Sequence, residues 1–167
     1  MFQALHERLH KDEKGFTLIE LMVVVLIIAI LIAIAIPTFL GARSRAQDRA
    51  AQTDLRNSLV AGEVWYTDHE SYDLTADGGA GVAELTALEP ELSFSDVAAD
   101  LETVGTVLVI DAADNMLFLR LSASGTYFGL AKNLDDLVGE VGTTYCSSTT
   151  TGATDINTVA TCQGDSW

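Results

Sequence analysis

From Phe16 to Ile36 the chain runs for 21 residues in which only Thr17 and Glu20 are polar. At 1.5 Å per residue a helix of that length spans roughly 31 Å, enough for a hydrocarbon core about 30 Å thick. In lipid the run has to be helical, because a lone strand leaves its backbone groups unsatisfied there. The rest of the chain has to fold around a segment with no comfortable place in water. Directly before the run stands a charged leader ending in Lys14-Gly15.

Glu20 is the odd residue of the run. A carboxylate near the middle of a membrane helix costs roughly 2.5–3.5 kcal/mol, somewhat less near an end. No Lys or Arg follows it within two helical turns, and the nearest preceding cation is Lys14. A cut between Gly15 and Phe16 would create an α-ammonium four residues before Glu20. On neighbouring helices shifted along their axes, the Phe16 amine of one and the Glu20 carboxylate of the other could pair in the apolar medium. The arrangement predicts processing and self-assembly together.

Gly15-Phe16-Thr17-Leu18-Ile19-Glu20, the apolar run and Pro37 resemble the N-terminus of type IV pilins. The matching block covers about Lys14 to Asn57, and the remainder is similar only in general plan. The resemblance implies cleavage after Gly15 by a prepilin peptidase and N-methylation of Phe16. It implies that Glu20 serves methylation or the docking of a subunit into a filament. It also implies an assembly ATPase and an inner-membrane platform as partners.

The net charge of −15 is unevenly spread. The leader balances, and residues 43 to 56 are mildly basic through Arg43, Arg45, Arg49 and Arg56. Beyond Asn57 there are 18 carboxylates against two cations, Arg120 and Lys132. So acidic a surface stays soluble and repels phosphates, so no direct nucleic-acid binding is expected. Cys146 and Cys162 lie in a Ser/Thr/Gly-rich tail with little apolar content. If that part is exported, a bridge between them is expected. A loop of this length contributes roughly 3 kcal/mol in the chain-entropy picture and would pin a tail with little other reason to fold.

Residues 1–15 read as a cleaved leader. The proposed cut lies before the apolar run and not after it, so the helix is expected to be retained rather than removed as a signal peptide. Three Lys/Arg precede the run and four follow it closely, so charge alone does not orient it. The resemblance and the cysteine pair place the C-terminal part outside: the cytoplasmic membrane before assembly, with the N-terminus inside, and an extracellular pilus afterwards.

Pro37 removes a helix hydrogen bond, yet four-residue spacing continues through Ala42, Ala46 and Ala50, then Ala51, Leu55 and Leu59, then Val60 and Val64. Residues 16–36 are thus a transmembrane or filament-core half, and 37–69 an amphipathic half of the same helix. Residues 70–104 read as a connecting loop, with a turn at Asp77–Gly81 and a short helix from Val82 to Leu88. Residues 105–167 hold an antiparallel meander and the disulfide-closed tail. Its strands are Thr106–Ile110, Met116–Leu121 and Thr126–Ala131, with a fourth from Val141 to Cys146. Asp111–Asn115 reads as a turn. The expected class is α+β, a long N-terminal helix on a 3–4-stranded antiparallel sheet, with Leu55, Leu59 and Trp65 in the contact.

Catalysis and cofactors are not expected. His6 and His10 lie in the leader, and His69 reads as a solvated residue at the helix end with no paired nucleophile. Asp111, Asp114 and Asn115 could offer oxygens to calcium, but their spacing is not that of an EF-hand loop and they are ordinary turn formers, so no metal site is expected. The main expectation is a structural pilus subunit forming a helical homopolymer that serves motility, adhesion or DNA uptake. The alternatives are a pseudopilin of a type II secretion system or competence pilus, and a monomeric membrane-anchored extracellular binding protein. An enzyme on a signal anchor is the remaining rival.

Overall fold

The computed structural model describes residues 15–75, 81–135, 141–150, 153, 155–164 and 167. The leader before Gly15 and the turn expected over Asp77–Gly81, apart from Gly81 itself, lie outside them. The chain divides into two compact units, one ending at Ala42 and the other spanning Arg43–Trp167.

The first helix, α1, runs Leu18–His69 with Pro37 inside it. Around the proline, Thr38 Oγ1 donates to the Ile34 carbonyl at 3.0 Å. A short helix α2 (Gly81–Leu88) follows, then β1 (Ser93–Ser95), a 3-10 turn (Ala98–Glu102), β2 (Thr106–Ala112), β3 (Asn115–Leu121), β4 (Tyr127–Asn133) and β5 (Gly142–Ser148). The fold is α+β, and the sheet has five strands in sequential order rather than three or four. β1 runs parallel to β2, and the other pairings are antiparallel. The extra strand is only three residues long and lies in the acidic region read as loop. So short a stretch carries no visible alternation. The turn placed at Asp111–Asn115 is also tighter than expected. Asp111 and Ala112 end β2, Asn115 begins β3, and Ala112 pairs with Asn115.

Both faces of the sheet are covered. Within Arg43–Trp167, α1 lays Ala51, Leu55, Ala61 and Trp65 against Val107, Val109, Met116, Phe118, Phe128 and Leu130. The opposite face carries Leu108, Leu117, Leu119, Tyr127 and Ala131. It is closed by Leu101 of the 3-10 turn and by Ala153, Ile156, Val159 and Cys162 of the tail. Double burial is why β2–β4 read as near-continuous apolar runs. It also corrects the view of the tail as a segment with little reason to fold, since Ile156 and Val159 are core residues. Burying an aliphatic side chain of this kind contributes about 1.5–3 kcal/mol.

The buried stripe of α1 is Ala51, Leu55, Ser58, Ala61, Gly62 and Trp65. Val60 and Val64, expected within the apolar stripe, are exposed instead. Small residues set the approach: a Cβ on Gly62 would stand 3.0 Å from both Met116 Sδ and Phe118 Cζ. His69 is not free in solvent. Its ring stacks on Trp65 with centroids 3.6 Å apart, and Nδ1 lies 3.0 Å from the Trp65 carbonyl.

Candidate assembly site at the head of the long helix

Gly15, Phe16 and Thr17 precede α1 in non-helical, exposed backbone. Thr17 is the N-cap and Glu20 the third helical residue. The Thr17 backbone N–H donates to Glu20 Oε2 at 2.8 Å, the Thr17 hydroxyl donates to the same oxygen at 2.7 Å, and the Glu20 N–H reaches Thr17 Oγ1 at 3.3 Å. This is a reciprocal capping box, which satisfies backbone donors that the first turn leaves orphaned. Sequence reasoning treated Glu20 as a carboxylate without a local partner. Its partner is Thr17, and the signal was present in Thr17-Leu18-Ile19-Glu20, the spacing of such a box. Oε1 takes no hydrogen bond among the described residues, so one oxygen remains for another chain.

Behind the cap, the apolar half of α1 has no cover within the described structure. Phe16 is 91% exposed, and every large side chain from Leu18 to Ile36 is exposed. Among the described residues α1 is one helix long and apolar enough to cross a membrane. Pro37 is exposed at the end of this run.

The folded unit supplies a second set of polar contacts. Met116 and Phe118 face α1, and two-residue alternation puts Arg120 on the same face, where Nη2 meets Asp54 Oδ2 at 2.8 Å. Phe128 and Leu130 place Lys132 likewise, 3.2 Å from Glu63 Oε1. At the β3–β4 turn, Ser122 Oγ donates to Asp48 Oδ1 at 2.9 Å, and Ser124 Oγ donates to the same oxygen. Both cations beyond Asn57 thus bind carboxylates of the helix.

Cys146 and Cys162 are joined, with Cα atoms 5.0 Å apart. Beyond the bridge, Tyr145 N–H donates to the Gly164 carbonyl at 2.8 Å and Trp167 Nε1 donates to the Gly129 carbonyl at 3.0 Å. Trp167 also takes the Arg56 guanidinium on its ring at 4.9 Å. Asp111, one of the three oxygens considered for calcium, accepts the Leu74 N–H at 2.8 Å. Burial pushes its carboxyl above the ordinary range. The Leu74 bond pulls it back, and Asp73 and Asp96 add to the rise.

Comparison with known proteins agrees with the head of the helix. A family model described as the prokaryotic N-terminal methylation motif matches residues 10–36. The type IV wide pilus major component PilA4 of Thermus thermophilus is 39% identical over 90 residues, covering 53% of this chain and 67% of that protein. The type IV major pilin protein PilA of Myxococcus xanthus is 42% identical over 65 residues, 39% of this chain and 30% of the relative. The type II secretion system core protein G of Escherichia coli is 27% identical over 134 residues, 78% of this chain and 86% of the relative. No solved structure gives a significant match. With an N-terminal methylation motif, a capped and uncovered apolar helix, and a sheet laid on that helix's second half, the chain belongs to the type IV pilin family.

Proposed function

We propose that this chain is the precursor of a type IV pilus subunit. A prepilin peptidase cuts between Gly15 and Phe16 and methylates the new amine. The subunit waits in the cytoplasmic membrane with its N-terminus inside, and is then polymerised into an extracellular filament by an assembly ATPase and a membrane platform. The observation that carries this reading is the uncovered apolar half of α1. Roughly twenty apolar side chains at about 1.5–3 kcal/mol each demand either lipid or a jacket of identical neighbours. The exposed, non-helical backbone at Gly15–Thr17 supports access by a peptidase.

After the cut, a positive amine would sit at the helix N-terminus, which the helix dipole disfavours. The Glu20 carboxylate, anchored through Oε2 by Thr17, offsets that charge, and its free Oε1 is available to a neighbour's Phe16 amine. The role is structural rather than enzymatic, and motility, adhesion or DNA uptake belong to the whole filament. A pseudopilin is the second reading, favoured by the long match to the secretion core protein G.

The test is mass spectrometry of material sheared from the cell surface. Chains beginning at N-methyl-Phe16 in that fraction support the pilus subunit. An intact Met1 start, found only in membranes, overturns it in favour of a monomeric anchored protein.

A further inference from the structure

Resting on the filament reading, we infer a specific head-to-tail contact between copies: Arg45 and Arg49 of one subunit seat against Asp68 and Glu84 of another. Arg45 and Arg49 are one helical turn apart on α1, on the side away from the buried stripe of Leu55, Ser58 and Trp65. Both are exposed. Among the described residues neither has an ion-pair partner, and the pairs that do form use Arg120 and Lys132. With Arg43, which is likewise exposed, Arg45 and Arg49 make this segment of the helix basic, whereas the chain beyond Asn57 is strongly acidic.

At the other end of α1, a cleft of about 210 Å³ opens between the last turn and α2. Asp68 and Glu84 line it and are exposed, and so do the stacked rings of Trp65 and His69. Two exposed carboxylates lining one cleft suit a planar guanidinium, which pairs with carboxylates in a fork. The two surfaces cannot meet within one chain, because Arg45 and Asp68 are about 35 Å apart along a single helix. A contact between different patches on two copies is heterologous, and a heterologous contact that does not close into a ring propagates. Each such contact would advance the next subunit by about the same 35 Å along α1.

The test uses the full-length chain in its own cells. Arg45→Glu with Arg49→Glu is expected to cut sheared filament on the order of tenfold or more, through like-charge juxtaposition, while the membrane pool of processed subunit persists. Asp68→Lys with Glu84→Lys should do the same, and all four changes together should restore filaments. Separately, Arg45→Cys with Asp68→Cys should give a ladder of crosslinked oligomers in sheared filaments on non-reducing gels, since the native cysteines are already paired. Undiminished filaments from either reversal overturn the contact. So does a loss confined to the arginine reversal without rescue, which would assign those arginines to another surface such as anionic lipid. Filaments of normal yield without the ladder also overturn it. Failure of the unaltered chain to yield any sheared filament would overturn the filament reading itself, and this contact with it.

Discussion

Asp54→Ala should destabilise the folded unit far more than an ordinary surface charge deletion. The Arg120 side chain is 15% exposed and that of Asp54 26%. Arg120 Nη1 is buried without an acceptor among the described residues, so the 2.8 Å bond to Asp54 is the guanidinium's main compensation for leaving water. A hydrogen bond to a charged group contributes about 1.5–3 kcal/mol, and stranding a fully buried ion costs about 3–5 kcal/mol. With the pair partly wet, the expected loss is about 2–3 kcal/mol. For a unit the size of Arg43–Trp167, roughly 4 °C follows each kcal/mol, so the thermal midpoint should fall by about 10 °C. The double variant Asp54→Ala with Arg120→Met removes the stranded charge and leaves an apolar chain beside α1, so it should lose only about 1 kcal/mol. The assay is near-ultraviolet circular dichroism of the full chain in detergent through a thermal ramp. A single-variant loss under about 0.5 kcal/mol would place the pair among ordinary surface bridges. A double variant as damaged as the sum of the singles would show that Arg120 stabilises through packing alone.

Three further outcomes are expected. A Cβ on Gly129 would collide with the Cys146 sulfur and stand 2.7 Å from Leu119 Cδ2 and 3.3 Å from Cys162 Sγ. Gly129→Ala should therefore cost about 1–2 kcal/mol net, since overpacking outweighs the lost unfolded-state entropy, and an unchanged thermal midpoint would contradict it. Glu20→Ala should leave the chain in membranes but out of filaments, whereas Thr17→Val removes the cap hydroxyl at about 1 kcal/mol and should still permit assembly. Equal filament loss in both would reduce Glu20 to a capping residue. For Asp111 the folded carboxyl binds its proton more tightly than the unfolded one. Its contribution to stability is thus full below the unfolded value near 4 and is lost as pH rises through the folded value. Asp111→Asn keeps an acceptor for Leu74 and should be more stable than the parent at pH 7, with the gap closing in acid; a pH-independent gap in melting temperature would refute this.

What could be read from the residues follows the strength of each local signal. The apolar run, the four-residue spacing beyond Pro37, the β-branched stretch at Thr106–Ile110 and the apolar stretch at Met116–Leu121 are continuous signals bounded by turn residues, and they point to the α+β class. β1 is three residues long, too short for periodicity to register. Val60 and Val64 fall outside the buried stripe of α1, because Ser58 and Gly62 fill the buried positions. Gly62 is small so that Met116 and Phe118 can approach, a reason that lies in the partner and not in the helix. The cap is legible in the Thr17-Leu18-Ile19-Glu20 spacing, in which Glu20 is both the costly carboxylate in lipid and the reciprocal partner of Thr17. The pairing of Arg120 and Lys132 with α1 needs the strand register, which single-residue charges do not reveal.

The apolar half of α1 supplies most of the energy, yet it does not decide where the subunit resides. About twenty side chains left in water would cost roughly 30–60 kcal/mol, well beyond the 5–15 kcal/mol by which a folded domain is stable. Lipid and a sheath of identical helices both remove that cost, so it largely cancels when a subunit passes from one to the other. What remains is the polar remainder. In lipid, Glu20 has one oxygen satisfied by Thr17 and one that takes no hydrogen bond among the described residues. Among neighbours, that oxygen can meet an amine. Among the described residues Arg45 and Arg49 make no ion pair, and in a stack of copies they would gain Asp68 and Glu84. A handful of charges, each contributing a few kcal/mol at most, can thus tip a balance between two apolar environments of nearly equal quality. Salt should accordingly weaken the exposed arginine contact more than the Glu20 pair, which lies in the apolar medium where ions do not screen it.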